Sequence, residues 1–203
     1  MIAIIDYGVG NLFSLQSSLK FISQEAHVTA DTELIEAADR IILPGVGAFE
    51  DAAKKLRESG MADIVIQQAK AGKPLMGICL GMQLLFEKSF EYGEHEGLGL
   101  IKGNIVPIKG AVPDGYKSPH IGWNALEFKC EKDPLFKYIN EGDHVYFVHS
   151  YYGADCDEST IAVTEYGAPL TAAVADGKIY GCQFHPEKSG NVGLDILRAF
   201  CEI

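Results

Sequence analysis

The chain lacks most of what would mark a membrane, nucleic-acid-binding or disulfide-bonded protein. No stretch approaches the roughly 18 consecutive apolar residues that a membrane span needs. No basic run is present. Lysine and arginine number 17 against 28 aspartates and glutamates, a net charge of −11, which argues against nucleic acid and anionic membrane as partners. The acidic residues are scattered, as on a solvated surface. The five cysteines (Cys79, Cys130, Cys156, Cys182 and Cys201) are odd in number and widely spaced. With no C-x-x-C pair they form neither a zinc site nor a disulfide framework. Internal repeats, low-complexity segments and Pro/Ser-rich linkers are missing. The start, MIAIIDYG, lacks the basic segment and long apolar stretch of a signal peptide, so a cytoplasmic protein is expected.

What is present fits one domain, residues 1–203. An apolar fraction of 47% over 203 residues supports a continuous core. Ile2–Ile5, Ile41–Leu43 and Pro74–Ile78 are short apolar runs that predict fully buried strands. Asn11 is positioned to cap a helix running to about Gln24, with Leu12, Leu15, Leu19 and Ile22 on one face. Helical sequence from Phe49 to Ala71 is broken by Gly60, and a further helix covers Leu80–Phe86. Strands alternating with helices predict an α/β fold, an open, mostly parallel central sheet with helices on both faces. Beyond Gly97 the strands follow one another quickly, at Val145–Val148, Thr160–Thr164, Leu170–Ala175 and Ile179–Phe184. They are expected to extend the sheet with antiparallel or mixed pairing, before a last helix from Val192 to Cys201.

The chemistry concentrates at Gly77-Ile78-Cys79-Leu80-Gly81. This is G-x-C-x-G between a strand and a helix, a nucleophile elbow with sulfur in place of a hydroxyl. The helix beginning at Leu80 points its free N–H groups at the thiol, which favours thiolate, and the Leu80 N–H is placed to bind an oxyanion. The plainer alternative is a buried core cysteine. Cys182 and Cys201 fit that alternative, and Cys130 and Cys156 suggest no role. A thiol nucleophile needs a base and the base an orienting partner. In His185-Pro186-Glu187, residues two apart share a side if the chain is extended, and Pro186 is expected to hold it away from helical geometry. Alone, His185 reads equally well as a strand-end histidine capped by a carboxylate. His144 and His149 fall on opposite strand faces, and His27 and His95 suit the surface. Pro44-Gly45-Val46-Gly47 follows a strand of the same sheet, and loops at such ends gather where ligands bind.

These segments resemble a known family. P-G-V-G at 44–47, G-I-C-L-G-M-Q at 77–83 and F-H-P-E-K-S at 184–189 are similar to the class I, triad-type glutamine amidotransferases, whose fold is flavodoxin-like. D-Y-G-V-G-N at 6–11, P-H-I-G-W-N at 119–124 and Y-F-V-H-S-Y at 146–151 narrow the resemblance to the glutaminase subunits of imidazole glycerol phosphate synthase. It spans nearly the whole chain; Cys182, where a plainer apolar residue is expected, is the one departure near the chemistry.

The resemblance implies Cys79 as nucleophile, His185 as base and Glu187 as orienting acid. It implies that Gly45, Val46 and Leu80 form the oxyanion hole, that Gly47, Gln83, Ser150 and Tyr151 hold L-glutamine, and that Asn11, Trp123 and Tyr146 face a cyclase subunit, a (β/α)8 barrel, in a heterodimer. No cofactor or metal is implied. Ammonia released from glutamine would pass to the cyclase for histidine biosynthesis. Control is expected through a peptide flip in 44–47, with Gly45 as the inexpensive hinge. Three alternatives stay open: an amidotransferase subunit of another pathway, a thiol hydrolase sharing only the elbow, and a scaffold that keeps the fold without activity. Trp123, the only tryptophan, reads equally as core or interface.

Overall fold

Strand β1 (Ile2–Ile5) is buried along its whole length, because helices cover both faces of the sheet it belongs to. The computed structural model describes residues 1–129 and 131–203; Cys130 lies outside them. After β1 come α1 (Leu12–Phe21), β2 (Ala26–Thr29), α2 (Thr32–Ala37), β3 (Arg40–Gly45), α3 (Phe49–Glu58), α4 (Met61–Lys70), β4 (Leu75–Cys79) and α5 (Leu80–Leu85). The second half begins with β5 (Phe86–Ser89), β6 (His95–Glu96), β7 (Ile101–Pro107), β8 (His120–Ala125) and β9 (Glu127–Phe128). It continues with β10 (His144–His149), β11 (Tyr151–Ala154), β12 (Thr160–Glu165), β13 (Pro169–Asp176), β14 (Ile179–Cys182) and α6 (Gly190–Phe200).

The main sheet has the order β2-β1-β3-β4-β14-β13-β12-β9. Its first five strands run parallel and the rest continue antiparallel, the mixed pairing expected of the second half. The two-residue period of the strands sorts side chains between two cores. Ile2, Ile4, Ile42, Met76 and Ile78 pack with Leu15 and Leu19 of α1 and Ile196, Leu197 and Phe200 of α6. Ala3, Ile5, Ile41, Leu43 and Leu75 pack on the other face with Ile35, Phe49, Leu56 and Val65 of α2–α4. Each fully buried Leu or Ile contributes about 1.5–3 kcal/mol. That double burial is why these strands read as unbroken apolar runs.

Four local expectations change. Val145–Val148 does not join the main sheet. It forms β10, which pairs antiparallel with β8 as a separate two-stranded ribbon. Its alternating burial, with Val145 and Phe147 inward, is that of a strand covered on one face only. The edge strand β2 and the six-residue α2 carry too little apolar signal to stand out in sequence. A four-stranded sheet, β11-β7-β5-β6, assembles from segments the sequence leaves unassigned. Asn11 sits at the N-terminus of α1 without a side-chain cap bond, and α1 stops at Phe21, just before Ser23 turns to φ 61°. Gly60, at φ 75°, separates α3 from α4 as expected.

Parallel neighbours in register bring strand ends together. Gly45 of β3 lies opposite Cys79 of β4, and Cys182 of β14 lies opposite Ile78. The segments leaving β3, β4 and β14 therefore meet at one edge of the sheet.

Candidate active site

Cys79 ends β4 and begins α5 with φ 55° and ψ −111°. A non-glycine residue held there costs about 1–3 kcal/mol and persists only when its surroundings enforce it. Enforcement comes from glycine-sized gaps. A Cβ on Gly77 would lie 2.6 Å from the Gly81 carbonyl oxygen, one on Gly45 would lie 2.7 Å from the Gly81 nitrogen, and one on Gly81 would overlap the Leu43 carbonyl. None of these three has positive φ; they are glycine because α5 presses directly onto β3 and β4. The strain falls on the cysteine itself.

Cys79 opens onto a cavity of about 290 Å³, whose wall also includes Val46, Gly47, Leu80, Gln83, Ser150, Tyr151 and His185. His185 arrives from β14 with its own backbone extended, at φ −101° and ψ 99°, but the chain does not stay extended beyond it. Pro186–Lys188 forms a 3₁₀ turn, with proline at its first position, where the missing N–H costs nothing. The turn, rather than strand geometry, sets His185 Nδ1 and Glu187 Oε1 2.9 Å apart, with both side chains 3% exposed. Three bonds fix it: His185 N donates to the Tyr146 carbonyl, Tyr146 N donates to Ser189 Oγ, and Ser189 Oγ donates to the His185 carbonyl. The β8–β10 ribbon thus holds the turn in place.

Burial opposes a charge on His185. Its hydrogen bonds and attraction to Cys79 and Glu187 outweigh burial and raise its pKa to about 9. His149 lines the same cavity with the opposite outcome, burial pushing it down to about 3. Its Nδ1 donates to the Tyr151 carbonyl at 2.8 Å, and its Nε2 lies 3.0 Å from His120 Nδ1. At neutral pH the cavity therefore contains one cationic imidazole beside the thiol and one neutral imidazole built into the wall. Glu187 Oε2 is buried without a hydrogen-bond partner among the described residues.

The remaining predicted residues divide. Gln83 is buried and donates through Nε2 to the Tyr151 carbonyl and to Gln183 Oε1. The Ser150 carbonyl accepts from Ile108 N at 2.9 Å. Gly45 is buried inside β3, and the preceding Pro44 carbonyl accepts from Tyr7 Oη at 2.8 Å. Strand pairing sets Gly45 opposite Cys79, and α5 approaches it so closely that a side chain there would meet Gly81. Beyond β3, Val46 is 42% exposed and Gly47 adopts φ 97°. Asn11 shares a second, much smaller cavity with Val46 and Glu187. Trp123 is 60% exposed and packs on Tyr146 with ring centroids 4.7 Å apart; the core reading of this tryptophan is wrong. His95, expected at the surface, is only partly exposed, with its Nε2 buried.

Two residues at the site escaped the sequence reading. Glu91 contributes a carboxylate to the cavity wall and accepts from the first N–H of α3 at 2.5 Å. It lies in an acid-rich segment with no local pattern to single it out. Gln183 places its amide nitrogen 3.7 Å from Cys79 Sγ. A lone glutamine in the apolar run Ile179–Phe184 was the signal available.

Comparison with known proteins gives the family and the fold. The profile of the class-I glutamine amidotransferase family matches residues 3–202. Imidazole glycerol phosphate synthase subunit HisH of Caldanaerobacter subterraneus subsp. tengcongensis is 50% identical, covering 100% of this chain and 98% of the relative. The subunit of the same name from Wolinella succinogenes is 47% identical, with both chains fully covered. Among solved structures, a glutamine amidotransferase superposes with a TM-score of 0.77 at 22% identity, covering 100% of this chain and 98% of the other. PurLQS from Thermotoga maritima gives 0.76 at 20%, covering 99% and 97%. At such identities the two structures speak for the fold alone.

Proposed function

This chain belongs to the class-I glutamine amidotransferase family, and from that premise we propose how it releases ammonia and which subunit receives it. It is a glutaminase, the glutamine-hydrolysing subunit of imidazole glycerol phosphate synthase in histidine biosynthesis. The Cys79 thiolate attacks the side-chain amide carbon of L-glutamine. Negative charge moves to the amide oxygen, where the N–H groups of Leu80 and of the Gly45–Val46 segment receive it. Cationic His185 gives its proton to the departing ammonia. It then takes a proton from the water that hydrolyses the thioester, and glutamate leaves. Glu187 orients the ring and stabilises its charge. Gln83, Gly47, Ser150 and Tyr151 hold the amino-acid end, and Glu91 offers a carboxylate to its ammonium group.

The observation that carries this reading is the charge arrangement. Cys79, on a strained elbow, shares a cavity with a histidine whose pKa is raised to about 9. A core cysteine explains neither the strain nor the buried His–Glu pair. The partner in this reading is the cyclase, a (β/α)8 barrel, docking over Asn11, Trp123 and Tyr146. Two observations support it: the relatives are named as synthase subunits, and exposed Trp123, packed on half-buried Tyr146, stands on the ribbon that fixes the His185 turn. In the barrel, ammonia would convert a phosphoribosyl-formimino intermediate into imidazole glycerol phosphate and an aminoimidazole carboxamide ribonucleotide. The test is glutamate release by the isolated chain, by its complex with the cyclase, and by the complex with nucleotide ligand. Turnover should rise at each step; equal turnover in all three would remove the proposed coupling.

A further inference from the structure

We propose that Gln183 is a fourth member of the catalytic constellation: its side-chain N–H donates to the Cys79 thiolate while its carbonyl fixes Gln83, so nucleophile and substrate cradle share one register. The inference rests on Cys79 being the nucleophile. Gln183 directly follows β14, between Cys182 and Phe184, and is fully buried. Its backbone N–H donates to the Ala172 carbonyl, so the main chain does not need the side chain. A buried primary amide without partners is costly, and an apolar residue would fill the position without that cost. Both partners of this amide lie in the catalytic cavity. Nε2 donates to Cys79 Sγ at 3.7 Å, and Oε1 accepts from Gln83 Nε2 at 3.0 Å.

The state of the sulfur decides what the first bond does. A protonated thiol has the Val148 carbonyl as acceptor, at 4.0 Å. A thiolate has no proton to give and instead accepts from Gln183 and from cationic His185. Hydrogen bonds to an ionised acceptor are about twice as strong as neutral ones, so the Gln183 bond favours the reactive form. The second bond acts on recognition. Gln83 has two amide hydrogens, and the Tyr151 carbonyl and Gln183 Oε1 take both. Its own carbonyl is thereby oriented for the substrate. Loss of Gln183 should therefore affect both thiolate formation and glutamine binding.

The experiment follows the alkylation of Cys79 by iodoacetamide against pH in the full-length chain, read by mass spectrometry of the Cys79 peptide. Gln183→Leu should move the midpoint upward by about one pH unit, equivalent to one modest hydrogen bond to the charged form. In the cyclase complex it should lower kcat/KM for glutamine by about 10- to 100-fold, with KM raised as well as kcat lowered. Gln183→Met keeps the length but has no N–H to donate, and should move the midpoint upward by a similar amount. A purely structural glutamine would leave the pH midpoint of every folded variant unchanged, and that result overturns the proposal. If Gln183→Leu does not fold, the Met variant decides on the same criterion. Cys79→Ala run alongside separates the two levels. Glutamate release without Cys79 would remove the nucleophile itself, whereas an unmoved midpoint in Gln183→Met removes only the role of Gln183.

Discussion

His185 and His149 line one cavity, yet their environments drive their charges apart. His185 gains a proton because a thiolate and a carboxylate face it. His149 loses one because burial is met only by a backbone carbonyl and a second imidazole. The raised value has a definite sign in kinetics. Below about pH 9 His185 keeps the proton that leaving ammonia requires, and above it that proton is gone. Glutaminase kcat/KM in the activated complex should therefore show an alkaline limb near pH 9. His149→Asn should leave the limb in place, whereas His185→Asn should remove most activity at every pH. A limb that moves with His149 instead would reverse the assignment of the two rings.

At the scale of elements, the elbow is a packing device. Gly81→Ala drives a methyl group into the Leu43 carbonyl. Backbone cannot yield as a flexible side chain can, so a loss of about 3 kcal/mol or more is expected, beyond the usual range for overpacking. Urea unfolding measures it. Gly47 is a different kind of glycine. Nothing lies within 4 Å of a Cβ built there, but its φ of 97° disfavours any side chain. Gly47→Ala should leave the fold intact at a cost of about 1–3 kcal/mol and lower partner-stimulated turnover more than partner affinity. Full stimulation in Gly47→Ala would show that the segment after β3 does not switch. Gly45→Pro does not isolate the switch, because its Cβ would lie 2.7 Å from the Gly81 nitrogen and disturb the elbow as well.

For the whole molecule, the ribbon of β8 and β10 links outside to inside. Its outer face exposes Ile121 and Trp123, and its inner face carries His120, Phe147 and His149. Trp123→Ala removes a side chain that is mostly in solvent, so the melting temperature should stay close to that of the parent. Cyclase binding should weaken by about 2 kcal/mol or more if this is an interface centre, as titration calorimetry would show. An unchanged affinity would place the partner elsewhere. The division of labour is tested separately. Cys79→Ala bound to the cyclase should support full synthase turnover on ammonium salts at high pH and none on glutamine. A dependence of the ammonium reaction on Cys79 would contradict a chain whose only chemical task is ammonia release. Among the described residues, no helix is long and apolar enough to cross a membrane.

The amino-acid sequence by itself determined the parallel strands and the elbow. Strands buried on both faces are uninterrupted apolar runs, and a crossing as tight as that of α5 over β3 and β4 admits only glycine at 45, 77 and 81. Both constraints act within a few residues, so both are written locally. Tertiary structure decided whatever depends on who faces whom across long separations. Sequence set His185 apart by its neighbour Glu187, but only folding brought Cys79 beside it and buried His149 so that one ring is cationic and the other neutral. Trp123 was core or interface until β8 and β10 paired as a ribbon apart from the main sheet and left it exposed. The His–Glu contact came from a turn at Pro186 rather than from strand alternation. Gln183 and Glu91 join the site from segments 104 residues beyond and 12 residues beyond Cys79. Hydrogen bonding and desolvation depend on three-dimensional neighbours; the lone glutamine in an apolar run marked Gln183 as unusual, but nothing local named its partners, and nothing local marked Glu91.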